Sequence, residues 1–439
     1  QVAVNWLRKL ASHKRAPVFP VLGKQGDKAL RYLALSPEIE LVDSPRHASV
    51  LLIAGEVPAD RLEPLRRVHD QLPDPFTTLW FRNEPWPHLE NVDRIDDLTD
   101  LPAALTKAHR ELMTGQRDSG CRILSDRPPN PWKGEGDFGQ GGEGMMGGVP
   151  YGRPMAMNMQ EDISDGLTLD SLTFRLGPFF MAFPPGMAAE VTLQGDLVQS
   201  WETQLEPYPQ RLDAVFFNAR KHPVPIAEIE LARARHHLQR LYHALHLAGL
   251  EALSLSSLRL AHGLSTSSTL DGLRRRLVRS GFFHLAAVGG GVLNTEQARQ
   301  FGGPAARAAG LADDLRSHDA GYRRLGFSPV CQNGGGVSAR WKQILDEVEQ
   351  SLMLARQAER DEVYTNDVDC IETPRGPWDE QPPEDASAIL DEILPGLEWG
   401  DALATIASLD IAAVADRGGG TQSPGESRAV QGGSGNVVK

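Results

Sequence analysis

The spacing of apolar residues changes character along this chain of 439 residues, and each change limits what that stretch can fold into. In residues 1–115, strand-length apolar runs alternate with helical spacing. Val18 to Leu22 and Val50 to Ala54 are short apolar runs bounded by Gly or Pro, as in strands buried on both faces. Leu62, Leu65, Val68 and Leu72 recur at helical intervals in the segment that starts at Arg61. Leu79 to Phe81 reads as a third strand, and Leu101 to Met113 as an amphipathic helix with Pro102 in its first turn. Such alternation predicts a small, doubly wound α/β sheet. Residues 116–165 are too rich in Gly and Pro for a regular element. Period-two patterning then takes over in 166–202, where Met187 to Leu193 and Leu197 to Trp201 flank Gln194-Gly195-Asp196 as a β-hairpin. Residues 225–360 are mostly helical in spacing. One helix is expected from Pro225 to about Ala252, another from about Ser338 to Arg360.

The expected organisation follows. An α/β domain spans 1–115, a Gly/Pro-rich linker 116–165, and an α+β domain of β-hairpin, sheet and helical bundle 166–416. The tail, 417–439, is low in apolar residues and is expected to be flexible. A net charge of −13 argues against nucleic acid and against direct adhesion to anionic lipid. No apolar run approaches the roughly 18–20 residues of a membrane span, and nothing reads as a signal peptide. Three dispersed cysteines, Cys121, Cys331 and Cys370, imply a reducing compartment and no disulfide framework. These features predict a soluble cytoplasmic protein that reaches a membrane only through partners.

Particular motifs add a resemblance. Ser44-Pro-Arg-His-Ala-Ser-Val-Leu-Leu-Ile-Ala-Gly55, Leu65-Arg-Arg-Val-His-Asp-Gln-Leu-Pro-Asp-Pro75 and Val92-Asp-Arg-Ile95 follow one another in the order of a known pattern. They resemble the cluster-bearing small subunit of the quinone-reducing module of respiratory complex I. Further on come Gly177-Pro-Phe-Phe-Met-Ala-Phe-Pro-Pro-Gly186, the stretch 191–200, and His243-Ala-Leu-His-Leu-Ala-Gly249. Arg279-Ser-Gly281 with Gly289-Gly-Gly-Val292, Ala309 to Arg316, Glu372-Thr-Pro-Arg-Gly376 and Trp399 to Ile411 complete the series. These resemble the large, quinone-site subunit of the same module, which is related to the large subunit of [NiFe] hydrogenases. The resemblance implies a small-subunit-like part fused to a large-subunit-like part.

The residues that carry the family's chemistry are missing. A [4Fe–4S] cluster takes four thiolates, and the chain has no C-x-x-C pair. Leu33 to Val42 and Trp80 to Pro85, where the resemblance would place cluster ligands, contain no cysteine. Two C-x-x-C pairs would be needed for a [NiFe] centre, and the last helix carries Ser408-Leu-Asp410 instead. The family's quinone-holding His has no counterpart in the loop Phe179 to Gly186. The position of its pairing Asp is occupied by His246, and Tyr208 is the only tyrosine in the shortened segment 207–223.

Other constellations have simpler readings. His236, His237, His243 and His246 share one helix, but zinc needs further ligands, so they read as packing or solvent-facing side chains. Gly139-Gln-Gly141-Gly-Glu-Gly144 fits G-x-G-x-x-G on paper, yet no helix opens after it. Asp313, Asp314, Arg316, Glu372 and Arg375 read as architectural ion pairs.

The functional expectation is a non-catalytic structural or coupling subunit of a complex I-like membrane assembly. It would sit peripherally on the cytoplasmic side of a bacterial inner membrane, beside antiporter-like, ion-translocating integral membrane subunits. No catalytic residue, metal ligand or cofactor is assigned. Phe179, Phe180, Met181 and Phe183 are expected to form an apolar plug or docking surface, or else to fill the protein's own core; His246 marks the vestigial quinone-pair position. The rival expectation is an NADH:quinone oxidoreductase-type enzyme subunit with a rearranged quinone site.

Overall fold

The computed structural model describes residues 12–86, 93–124, 158–161, 168–284, 290–366 and 368–415. The glycine stretch 139–144 and the tail from 417 lie outside these residues. Five parallel strands form the first sheet: β1 (Ala16–Leu22), β2 (Ile39–Leu41), β3 (Val50–Ala54), β4 (Thr77–Phe81) and β5 (Asp93–Ile95), in the order β2-β1-β3-β4-β5. Because side chains alternate along a strand, the sheet divides its apolar residues between two layers. Val18, Val50, Leu52 and Leu79 face α1 (Asp27–Ala34) and α3 (Leu101–Thr114). Phe19, Val21, Leu51, Ile53 and Trp80 face the layer that holds Leu65 of α2 (Leu62–His69). The doubly wound expectation is thereby met. The sequence reading missed β2, whose three residues are too few to show a period, and α1, whose charged first turn hides its pattern.

The second half opens with an antiparallel meander of β6 (Asn158–Glu161), β7 (Thr168–Leu176), β8 (Ala188–Gln194) and β9 (Leu197–Leu205). The hairpin turns at Gln194-Gly195-Asp196 as expected, but β9 runs past Trp201 to Leu205, which pairs with Ala188. Two long helices then form the axis of the bundle: α4 (Ile226–Leu247) and α6 (Val337–Arg360). Leu238, Leu241 and Leu245 interlock with Trp341, Ile344, Leu345 and Val348, so the apolar stripe of each helix is buried by the other. The expected single helix to Ala252 ends at Leu247. Gly249 takes φ +71°, the Leu250 amide donates to the Leu245 carbonyl, and the chain restarts as α5 (Glu251–His262). That is the glycine-terminated hydrogen-bond pattern of a helix C-terminus. The last helix, α7 (Trp399–Ser408), packs Ala402 and Ile406 against Val191, Val198 and Trp201 of the meander.

Candidate functional site

The two halves meet at a seam, and the seam holds an open cavity of about 260 Å³. Its walls come from the carboxyl end of β1, the loop Phe179 to Pro185, Tyr208, α4 and the end of α7. The crevice beyond the carboxyl ends of parallel strands is where doubly wound sheets hold ligands. Here the other half of the chain covers that crevice.

The loop from 177 to 186 forms the seam. Gly177 and Gly186 both have φ near +90°, and a Cβ on Gly177 would lie 2.2 Å from the Met187 carbonyl oxygen, so the tight path requires glycine. Between them, Phe179 enters the core layer of the parallel sheet, with Met181 against it. Phe180 and Phe183 turn the other way, onto the core of the meander and α7. Phe183 is 3% exposed and packs edge-on to Trp201 at 5.4 Å between ring centroids. The four residues therefore staple the two halves and line the cavity. Arg61 reinforces the seam by donating to the Gly186 carbonyl at 3.2 Å and the Glu206 carbonyl at 3.0 Å, with its guanidinium over the Tyr208 ring.

One wall of the cavity is built from paired polar groups. His236 Nε2 lies 2.7 Å from an Asp410 carboxylate oxygen, and Gln210 donates to the other oxygen at 3.0 Å. Arg240, one turn along α4, stands 3.8 Å from Asp410 and donates to the Ser408 carbonyl. Burial alone would raise the Asp410 pKa, but Arg240 and His236 outweigh it and hold the carboxyl well below its ordinary range. His243 faces the same cavity, and loss of hydration holds its pKa down at about 4. The Tyr208 hydroxyl is buried with no hydrogen-bond partner among the described residues.

Behind that wall lies a buried ionic network. Arg307 donates to Glu347 and Glu372 at 2.8 Å each and sits 3.1 Å from Asp314. Arg316 joins Asp314 at 2.7 Å to Glu230 at 3.2 Å, and Glu230 also takes Arg233, Tyr322 and Ser351. The sequence reading named Asp314, Arg316 and Glu372 as architectural, and they hold the helices to the ladder of β10 (Ile371–Glu372) and β11 (Pro377–Trp378). It missed Arg307, Glu347 and Glu230. Asp313 is exposed and contributes only its carbonyl. Arg375 is buried but stands apart from the network, bonded to the carbonyls of Phe301 and Glu384.

His246 lies outside the cavity. It bridges Asp43 of the first half and Glu251, both at 2.9 Å. The Asp43 hydrogen bond raises its pKa to about 9 against a partial loss of hydration, with Glu251 adding to the rise. A raised folded value means that the pair stabilises fully below the ordinary value of 6.5 and stops doing so as the pH climbs through about 9. Both carboxylates are largely exposed, so the contribution is about 1 kcal/mol or less. His246→Gln is expected to lower the melting temperature near pH 6.5 and to leave it unchanged relative to the parent above about pH 9. A constant gap across that range would count against the bridge.

The thiols do not suit a cluster. Cys121 and Cys331 are exposed and Cys370 is half-buried, in three separate parts of the chain. Among the described residues, no group of His, Cys, Asp or Glu has metal-ligand geometry, and no helix is long and apolar enough to cross a membrane. His236 and Asp410 are the pair that sequence reasoning did not assemble, because 174 positions separate them.

Residues 264–375, about a quarter of the chain, match the family model described as "Respiratory-chain NADH dehydrogenase, 49 Kd subunit". No curated protein matches the chain. The matched stretch contains Arg307, Asp314, Arg316, Glu347 and Glu372, and so most of the buried ionic network. The motifs that resemble the small subunit, and the loop from 177 to 186, lie outside it. Over these residues the chain is thus similar to the 49 kDa subunit of the respiratory-chain NADH dehydrogenase.

Proposed function

We propose that this chain is a structural, coupling subunit of a complex I-like membrane assembly and performs no redox step of its own. It joins a small-subunit-like part, residues 1–115, to a large-subunit-like part, residues 166–416. It docks peripherally, from the cytoplasmic side of a bacterial inner membrane, on antiporter-like subunits that move ions. The observation that carries this reading is the donor set. A scaffold whose helical part is similar to a quinone-module subunit has three scattered thiols and an apolar staple where redox chemistry would need converging ligands. The loop Phe179 to Gly186 then acts as a plug that fixes one half against the other. Fractionation tests the docking route. With membrane subunits co-expressed, the chain is expected in the membrane fraction; alone, with its charge of −13, it is expected not to bind anionic lipid vesicles. Binding of the isolated chain to such vesicles would sink this route.

One observation favours the second reading, a quinone oxidoreductase-type subunit with a rearranged site. The cavity is mostly apolar, and the Tyr208 hydroxyl stands in its wall without a partner among the described residues. A buried unpaired donor is costly, and a ligand carbonyl would satisfy it. Tyr208, with His236 and Asp410 opposite, would then hold the head group. Quinone reduction by the assembled complex that is lost in Tyr208→Phe would establish this reading over the first.

A further inference from the structure

A second cavity, open and of about 580 Å³, lies beside the seam cavity and shares Gln25, Arg31, Arg211 and His236 with it. One side is built from the turns that follow β1, β3 and β4, which carry Gln25, Glu56 and Arg82. In the strand order β2-β1-β3-β4-β5, the chain leaves β1 for α1 on one face of the sheet and leaves β3 for α2 on the other. Open α/β sheets hold ligands in the crevice at such a divergence. The second half of the chain supplies the facing side, with Arg211 and with Arg235 of α4. The backbone is unusual here as well. Gln25 and Arg82 have φ of +64° and +53°, and they are two of the three non-glycine residues with left-handed backbone among the described residues. Such strained conformations gather at ligand-holding turns.

The charges in this crevice do not cancel. Six Lys and Arg side chains line it against three carboxylates. Each carboxylate is matched one to one: Asp27 by Arg31 at 2.5 Å, Asp213 by Arg235 at 3.2 Å and Glu56 by Lys24 at 4.0 Å. Lys28, Arg82 and Arg211 are left over, all three exposed, and none forms an ion pair among the described residues. Arg82 donates through Nε to the Asp96 carbonyl at 3.0 Å. The Asp97 carboxylate acts on it only from further away and already accepts from the Thr99 amide and hydroxyl. Arg211 reaches only the neutral side-chain oxygen of Gln25, at 3.4 Å. In a chain of net charge −13, three uncompensated cations around one crevice reverse the local sign and draw in anions.

We propose that this crevice binds the diphosphate group of a small molecule, held by Lys28 and Arg82 of the first half and Arg211 of the second. A single phosphate ester carries a charge of about −1.5 to −2, which falls short of the three free cations, and a diphosphate matches them better. The forked guanidiniums of Arg82 and Arg211 suit paired bonds to phosphate oxygens. The site is independent of whether the assembly reduces quinone and of how the chain reaches a membrane. Pyrophosphate, without magnesium, tests it on the full chain. At fixed ionic strength, calorimetric titration is expected to show saturable binding, and the melting temperature to rise with pyrophosphate but not with citrate or sulfate. Arg82→Asn keeps the left-handed turn, which Asn tolerates. That variant and Arg211→Gln are each expected to weaken binding about tenfold. Arg275→Gln removes an exposed charge outside the crevice and should leave the affinity unchanged. Adenosine diphosphate in the same titration separates the sources: tighter binding than pyrophosphate assigns an organic ester, weaker binding the free diphosphate, and either supports the site. No binding of pyrophosphate, or citrate bound as tightly, would overturn the proposal. So would a loss in Arg275→Gln as large as in the two crevice variants.

Discussion

Arg307→Met is expected to destabilise the fold by about 3–5 kcal/mol, the cost of leaving buried carboxylates without their counter-ion. Arg307 is the hub at which Glu347, Glu372 and Asp314 meet, and all four side chains are at most 1% exposed. Since a domain is stable by about 5–15 kcal/mol in total, the variant should sit near the edge of folding. The pH dependence gives a second signature. Burial alone would raise the Glu347 pKa, but Arg307 outweighs it and holds the group well below its ordinary 4.5. A depressed folded value gives stability that is present above 4.5 and is lost as the pH falls through the folded value. The deficit of the variant should therefore shrink on acidification below about pH 4.5. Denaturant midpoints at neutral and acidic pH measure both effects. A deficit that does not change with pH would place the loss in packing rather than charge.

Phe183→Ser is the other large effect, expected at about 3–5 kcal/mol for loss of a buried aromatic from a packed core. Phe183 lies with Met187, Val191, Trp201 and Ile406, and a hydroxyl there finds apolar neighbours. Phe180 is only partly buried and its replacement by Ser should cost less. Phe179→Ser acts elsewhere, since that ring belongs to the layer of Phe19, Leu51 and Trp80 on the other side of the seam. The sequence left open whether this loop docks a partner or fills the chain's own core. Its burial at the seam favours a melting-temperature drop in the isolated chain for both Phe183→Ser and Phe179→Ser. An unchanged melting temperature with lost assembly would return the loop to the surface as a docking element.

The contrast between what could and could not be foreseen has a physical basis. β3 and α6 were legible because their patterns are local: five apolar residues in a row, and 24 residues of helical spacing from Val337. Strand β2 was not, because three residues carry too little periodicity. The end of α4 at Leu247 was written in Gly249, which the helical reading ran through. The site was harder. His236 with Asp410, Arg307 with Glu372, and Arg340 with Ser408 are pairings across 174, 65 and 68 positions, and nothing local in the sequence marks them. Charged residues inside a helical stripe read as a solvated face until the fold shows that two helices have closed over them. That Phe179 belongs to one core and Phe183, four residues on, to another could not be inferred from a run of aromatics.

The central claim is that the scaffold works without a redox centre, and metal analysis joined to turnover tests it most directly. The chain is purified anaerobically together with the membrane subunits proposed for it, and iron, nickel and quinone reduction are measured on the same sample, with and without the chain. The account predicts no stoichiometric iron or nickel on the chain, no quinone reduction that depends on it, and ion translocation that fails in its absence. About four irons per chain, or quinone turnover that follows the chain, would contradict it.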